Sequence, residues 1–145
     1  MSYRYLGLDL GTKTLGISIS ETGIIANALT ILRHDNNFDY LIDELDKIIK
    51  EKKIDVLVLG LPKNMNNTIG ERGQMILDFK EKLEIFNLPI VLEDERLTTK
   101  VAESILINAD VSRKKRKQVI DKMAANVILQ SYLDKGGYDG RKENQ

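Results

Sequence analysis

Tyr5-Leu6-Gly7-Leu8-Asp9-Leu10-Gly11-Thr12-Lys13-Thr14-Leu15-Gly16-Ile17-Ser18-Ile19-Ser20 is the stretch whose reading decides the fold. Residues 5–11 and 15–20 each alternate with period two, the signature of a strand, and Gly23 follows as a turn signal. Ile24 to Leu32 is a third apolar stretch after that turn. None of these connections is long enough for a crossover helix, so the three runs read as an antiparallel meander. Beyond them the pattern changes. Phe38, Leu41, Ile42, Leu45, Ile48 and Ile49 recur at helical spacing, which predicts an amphipathic helix over about 38–53. Ile54 to Leu61 is a nearly continuous apolar run closed by Gly60 and Pro62, as in a buried central strand. Met75, Ile76, Phe79 and Leu83 mark a second helix, and Leu88 to Leu92 a fifth strand. Thr98 and Thr99 open a helix through Ile107, and Val119 to Leu133 forms the last one. A meander followed by alternating helices and strands gives an α/β domain: a mixed five-stranded sheet with helices on its faces.

The chain has 145 residues, 22 Lys+Arg, 22 Asp+Glu and no cysteine. That length suits one domain with its own core, read here as residues 1–134, followed by a polar tail over 135–145 that is expected to be disordered. The absence of cysteine removes disulfide scaffolds, thiolate metal sites and thiol nucleophiles together. No apolar run approaches a bilayer span and no signal-peptide pattern opens the chain, so the expectation is a cytoplasmic protein without a membrane partner. A formal charge of zero at first argues against a polyanion partner. The segment Lys100 to Lys122, however, carries seven Lys/Arg against three Asp/Glu, a local +4 that the remainder offsets.

Within the first strand, period two sets Leu6, Leu8 and Leu10 on one face and Gly7, Asp9 and Gly11 on the other. A carboxylate flanked on its own face by glycines leaves room for something bulky to approach the backbone. A second acidic cluster, Glu93-Asp94-Glu95-Arg96, closes the fifth strand, and functional groups of open α/β sheets gather beyond the carboxyl ends of parallel strands. Asp121 is the third acidic position. It lies on the flank of a helical stripe formed by Val119, Ile120, Met123 and Val127, beside the small Ala124 and Ala125. Carboxylates from separate elements, without His or Cys, suit hard cations such as Mg²⁺ or Mn²⁺. A pair of such ions about 3.5–4 Å apart activates water and stabilises the leaving oxygen in phosphodiester hydrolysis. The basic run Arg113-Lys114-Lys115-Arg116-Lys117 just before Asp121 reads as a phosphate-backbone track on a loop that orders on its substrate. The only histidine, His34, reads as solvent-exposed in a loop.

At these residues the chain resembles the YqgF/RuvX family of Holliday junction resolvase-like proteins, also described as pre-16S rRNA nucleases. The resemblance lies in Gly7-Leu8-Asp9-Leu10-Gly11, Gly60-Leu61-Pro62 with Asn64-Met65, Asp94-Glu95-Arg96-Leu97-Thr98-Thr99, and Ile120-Asp121 through Ala124-Ala125, in the expected order over essentially the whole chain. It implies an RNase H-like fold with strand order 3-2-1-4-5 and helices on both faces. It also implies a metal-dependent nuclease using one or two Mg²⁺ or Mn²⁺ ions and maturing the 5′ end of 16S rRNA in the bacterial cytoplasm. Carried over by position, Asp9, Glu95 and Asp121 are the metal ligands, with Asp94 the rival of Glu95. Arg96, Thr98 and Arg113, Lys114, Lys115, Arg116 and Lys117 are the expected phosphate contacts. The chain departs from the family pattern at Asn67, where glycine is usual, and at Ala124, where related junction resolvases carry an acid.

Three other functions compete. A Holliday junction resolvase acting on structured DNA would need a homodimer, whereas a monomer suffices for a single cut in pre-rRNA. A sugar kinase or actin-like ATPase is suggested by the phosphate-loop look of Asp9-Leu10-Gly11-Thr12-Lys13-Thr14, but those proteins close two such domains around a nucleotide. A non-catalytic RNA-binding ribosome-assembly module would keep the carboxylates without the chemistry.

Overall fold

The computed structural model describes residues 3–61, 71–94 and 113–138. Its elements are β1 (Tyr5–Leu10), β2 (Thr14–Ser20), β3 (Asn27–Arg33), α1 (Phe38–Lys52), β4 (Val56–Leu61), α2 (Glu71–Leu83), a 3-10 turn (Glu84–Phe86), β5 (Ile90–Asp94) and α3 (Arg113–Asp134). The strands form one sheet in the order β3-β2-β1-β4-β5. β1 and β2 are antiparallel, with Leu6 opposite Ile19 and Asp9 opposite Gly16. β4 joins β1 in parallel and β5 joins β4 in parallel, with Val58 beside Gly7 and Gly60 beside Glu93. This is the mixed sheet expected from the sequence pattern, in the strand order that the family resemblance implies.

The alternation of β1 separates two cores. Leu6, Leu8 and Leu10 join Leu57, Leu59, Leu41, Leu45, Ile76 and Phe79 under α1 and α2. Tyr5, Val56 and Val58 pack on the other face against Ile128, Leu129 and Leu133 of α3. β4 is buried throughout, which explains its uninterrupted apolar run. α1 starts where Asn37 Oδ1 accepts the Tyr40 N–H at 3.1 Å, and it ends at Lys53 in the left-handed region. Phe38 of α1 meets Phe79 of α2 edge to face at 5.4 Å, joining the two helices.

Three element boundaries differ from expectation, one of them β5, which runs Ile90–Asp94 rather than Leu88 to Leu92. The third apolar stretch becomes a strand only at Asn27, because Ile24 and Ile25 stand exposed in the turn before it. The last helix begins at Arg113 rather than Val119, so the basic run forms helical turns and is not a loop. Arg, Lys and Gln are all good helix formers, and periodicity of apolar residues cannot detect a helix start that has none. The expected helix over 98–107 lies outside the described residues, as do Pro62, Asn64, Met65 and Asn67.

Past α3 the chain remains packed. Gly136 and Gly137 take positive φ values of 112° and 71°, and their N–H groups donate to the carbonyls of Leu133 and Tyr132. The Tyr138 N–H donates to Tyr5 Oη at 2.9 Å, and the rings of Tyr3 and Tyr138 meet edge to face. With Tyr5 against Tyr132, four tyrosines scattered in sequence gather around the start of β1. Among the described residues no helix is long and apolar enough to cross a membrane.

Candidate functional site

The site is built on the contact between β1 and α3. A Cβ placed on Gly7 would come within 2.3 Å of Ser18 Oγ, 2.8 Å of Leu129 Cβ and 3.0 Å of the Ala125 carbonyl oxygen. The approach that this glycine permits is therefore that of a helix of the same chain, not of a ligand. Ser18, opposite Gly7 on β2, donates its buried hydroxyl to the Ala125 carbonyl at 2.7 Å and fixes the helix there. Small side chains on both partners, Gly7 below and Ala125 above, allow the two backbones to meet.

Helix and strand run in opposite directions. Tyr5 contacts Tyr132, and Gly7 faces Ala125 and Leu129. Two strand residues advance about 6.6 Å, which equals roughly four helical residues. Continuing from Gly7 to Asp9 therefore leads from Ala125 back to position 121. The buried row of α3 runs through Ala125, Ile128, Leu129 and Leu133, while Val127 is only half-buried. Position 121 lies one turn before Ala125 along the helix.

Asp9 itself is half-buried, on the α3 face and at the carboxyl end of β1. Across β4, Val91 packs in the α3 core whereas Ile90 packs in the other, so the odd positions of β5 share the face of Asp9. Glu93 is one of them. Only 5% exposed, it accepts a charge-assisted hydrogen bond from the Lys135 ammonium, so this carboxylate is neutralised within the protein. Sequence reading passed over that pair, although the parity that selects Asp9 also selects Glu93. Asp94 ends β5 and position 121 lies in α3. Glu95, Arg96 and Thr98 lie outside the described residues. Asp9 is thus the one expected ligand whose side chain is described, and among the described residues no three acidic or histidine side chains gather around a common point.

His34 corrects another expectation. It is 2% exposed, and both ring nitrogens are engaged: Nε2 with the Gly11 carbonyl at 2.9 Å, and Nδ1 with the Asn36 N–H at 2.9 Å. These partners require the tautomer with hydrogen on Nε2. Asp35 and Asn36, both exposed and both with positive φ, turn the chain back so that the Asn36 N–H reaches the ring. With this histidine committed and no cysteine in the chain, a cation at the Asp9 end would meet oxygen ligands, the donor chemistry that Mg²⁺ and Mn²⁺ prefer.

Comparison with known proteins agrees with this architecture. Residues 3–135 match the family described as "RuvX: Holliday junction resolvase". A Bacillus subtilis (strain 168) protein named "Putative pre-16S rRNA nuclease" is 56% identical over 134 residues, covering 90% of this chain and 97% of the relative. A Bacillus cereus (strain B4264) protein of the same name is 53% identical over 135 residues, covering 91% and 98%. Among solved structures, T. thermophilus RuvC in complex with Holliday junction substrate superposes with a TM-score of 0.56 at 9% identity, over 93% of this chain and 97% of that one. The fowlpox virus Holliday junction resolvase gives 0.54 at 14% identity, over 91% and 99%. At such identities these structures speak for the fold alone, which is RNase H-like.

Proposed function

This chain belongs to the RuvX family, and from that premise we propose that it is a metal-dependent nuclease processing the 5′ end of precursor 16S rRNA in ribosome biogenesis. The observation that carries the reading is the seating of α3 on Gly7 and Ser18. It sets α3 antiparallel along β1, so that the earlier turns of the helix run toward the end of the sheet where Asp9 and the parallel strands end, which supports Asp121 as a partner of Asp9. The family match and the naming of close relatives over nearly their whole length supply the substrate class.

In this reading Asp9, Glu95 and Asp121 hold one or two Mg²⁺ or Mn²⁺ ions. When bound, the ions supply a nucleophilic hydroxide at neutral pH and charge stabilisation for the leaving oxygen. The parity of β5 favours Glu95 over Asp94, since odd positions share the face of Asp9. Glu93 is already satisfied by Lys135 and stays out of the ligand set. Arg96, Thr98 and the residues Arg113, Lys114, Lys115, Arg116 and Lys117 hold the phosphate backbone, the last five from the first turns of α3. The protein works in the bacterial cytoplasm, where its substrate is made. A monomer suffices for one cut, while resolution of a four-way junction requires a pair of sites in a homodimer.

The test is cleavage of precursor 16S rRNA with Mg²⁺ or Mn²⁺, comparing wild type with Asp9→Asn. Removing one anionic ligand while keeping its shape abolishes hydrolysis and leaves RNA binding intact or stronger. Unchanged cleavage would overturn the ligand assignment, and RNA binding without cleavage by wild type would leave the assembly-module reading. The family's description supports DNA junction resolution as a second reading. Symmetric nicking of a synthetic four-way junction with intact rRNA precursor would favour it.

A further inference from the structure

We infer that Lys13, at the tip of the β1–β2 hairpin, contacts the phosphate backbone of the bound nucleic acid, and that buried His34 is the positioning residue that holds this tip. The inference rests on the nuclease reading and adds a contact on a part of the chain distant in sequence from the basic run of α3.

The hairpin is tight. Leu10 pairs with Leu15, and the Gly11 N–H donates to the Thr14 carbonyl at 2.8 Å, leaving Thr12 and Lys13 exposed at the apex. Two-residue hairpin loops usually close by adopting positive φ, but neither Thr12 nor Lys13 does so. The turn is held from outside instead. The Gly11 carbonyl accepts from His34 Nε2, and the His34 N–H donates to the Lys13 carbonyl at 2.9 Å. The ring is fixed in turn by the Asn36 N–H and by an edge-to-face contact with Phe38 at 5.3 Å. A histidine with both nitrogens satisfied thus binds the backbone on both sides of Thr12, immediately past the strand that carries Asp9.

The side chain of Lys13 has the opposite character. It is exposed and forms no ion pair among the described residues. Asp35, on the turn that follows His34, is taken by Arg33 at 3.0 Å. A fixed backbone that carries an exposed ammonium is preorganised for an anionic partner, because only the side chain's own freedom is lost on binding. The antiparallel course of α3 over β1 carries the first turns of the helix toward this same end of the sheet. A nucleic-acid strand engaged at Asp9 therefore has Lys13 within its path, and an ammonium fits non-bridging phosphate oxygens without reading sequence.

Binding of a fluorescent RNA carrying the 5′ leader of precursor 16S rRNA, followed by anisotropy across a salt series, tests this. Lys13→Ala is expected to weaken binding about tenfold and to reduce the salt slope by about one, and Lys13→Glu to weaken it further. Lys50→Ala on the exposed face of α1 serves as the charge control and leaves affinity unchanged. His34→Phe, which keeps the ring contact and removes both ring hydrogen bonds, weakens binding too. Combining it with Lys13→Ala gives less than the sum of the two losses, a coupling that a merely structural role would not produce. Lys13→Ala binding no more weakly than Lys50→Ala overturns the phosphate contact, and strict additivity overturns the role of His34. Wild-type protein that fails to bind this RNA overturns the nuclease reading and the inference with it, a result distinct from an effect confined to Lys13.

Discussion

Gly7 shows how one hydrogen atom in place of a methyl group governs the site. Two of the three atoms that a Cβ would meet, the Ala125 carbonyl oxygen and Leu129 Cβ, belong to the backbone or the root of a side chain and cannot swing aside. The third, Ser18 Oγ, could rotate only by giving up its buried hydrogen bond to α3. Gly7→Ala must therefore lift the helix off β1. The expected cost is about 1–3 kcal/mol, the usual range for overpacking, measured as a lower midpoint in urea denaturation. On the proposed ligand set the same displacement separates Asp121 from Asp9, so cleavage is expected to fall by more than the folded fraction does. A variant that loses stability but keeps full specific activity in its folded fraction would separate the helix seat from the chemistry. His34 makes the complementary point. Its identity and its neighbour Arg33 suggested exposure, but burial depended on a loop with two non-glycine residues at positive φ, Asp35 and Asn36, which local pattern does not announce.

At the scale of elements, α3 begins against its own electrostatics. Its first turn contains no acidic residue and opens with Arg113, Lys114 and Lys115, where the helix dipole already places positive partial charge. Acidic residues there would stabilise the helix, so these cations cost stability in the free protein. A bound phosphate backbone reverses the sign, because it meets both the side-chain charges and the dipole. Lys114→Glu is accordingly expected to raise stability by about 0.3–1 kcal/mol while weakening RNA binding. Thermal unfolding and anisotropy on one protein sample read the two effects, and a change of the same sign in both would contradict this account. The elements also divide by how legible they were. α1, β4 and the first two strands carry strong periodicity or continuous apolar runs, and each was read close to its observed bounds. α3 was read late at its start, because its beginning has no apolar residue, and its contact with the sheet through Ala125 over Gly7 has no large side chain to announce it. Of the candidate site, the place of Asp9 on the α3 face at the end of β1 was legible from the alternation of the strand, whereas the Glu93–Lys135 pair depends on the residue just past α3 reaching across to β5, a tertiary fact with no local signal.

For the molecule as a whole, a formal charge of zero is a sum over unlike regions. α1 offsets its own charges: Lys47 pairs with Glu44 and Lys50 with Asp46, surface pairs of little energetic consequence. Glu93, on the face of Asp9, is neutralised by Lys135. The segment Lys100 to Lys122 carries a sequence surplus of +4, and Lys13 adds an exposed ammonium, in no ion pair among the described residues, at the end of the sheet toward which α3 begins. Cations held by the carboxylates would make that end more positive still. Long-range attraction from net charge is absent, so binding must depend on close contacts, each releasing counterions from the nucleic acid. Four phosphate contacts to single-stranded RNA give a slope of log K against log salt of about −3, at about 0.7 per phosphate. A neutral protein binding by shape alone would show a slope near zero. Measuring the RNA affinity at a series of salt concentrations decides between them, and charge reversal within Arg113 to Lys117 should flatten the slope while reversal of Lys47 or Lys50 on α1 leaves it unchanged. A slope insensitive to both sets would mean that the local surplus does not face the nucleic acid.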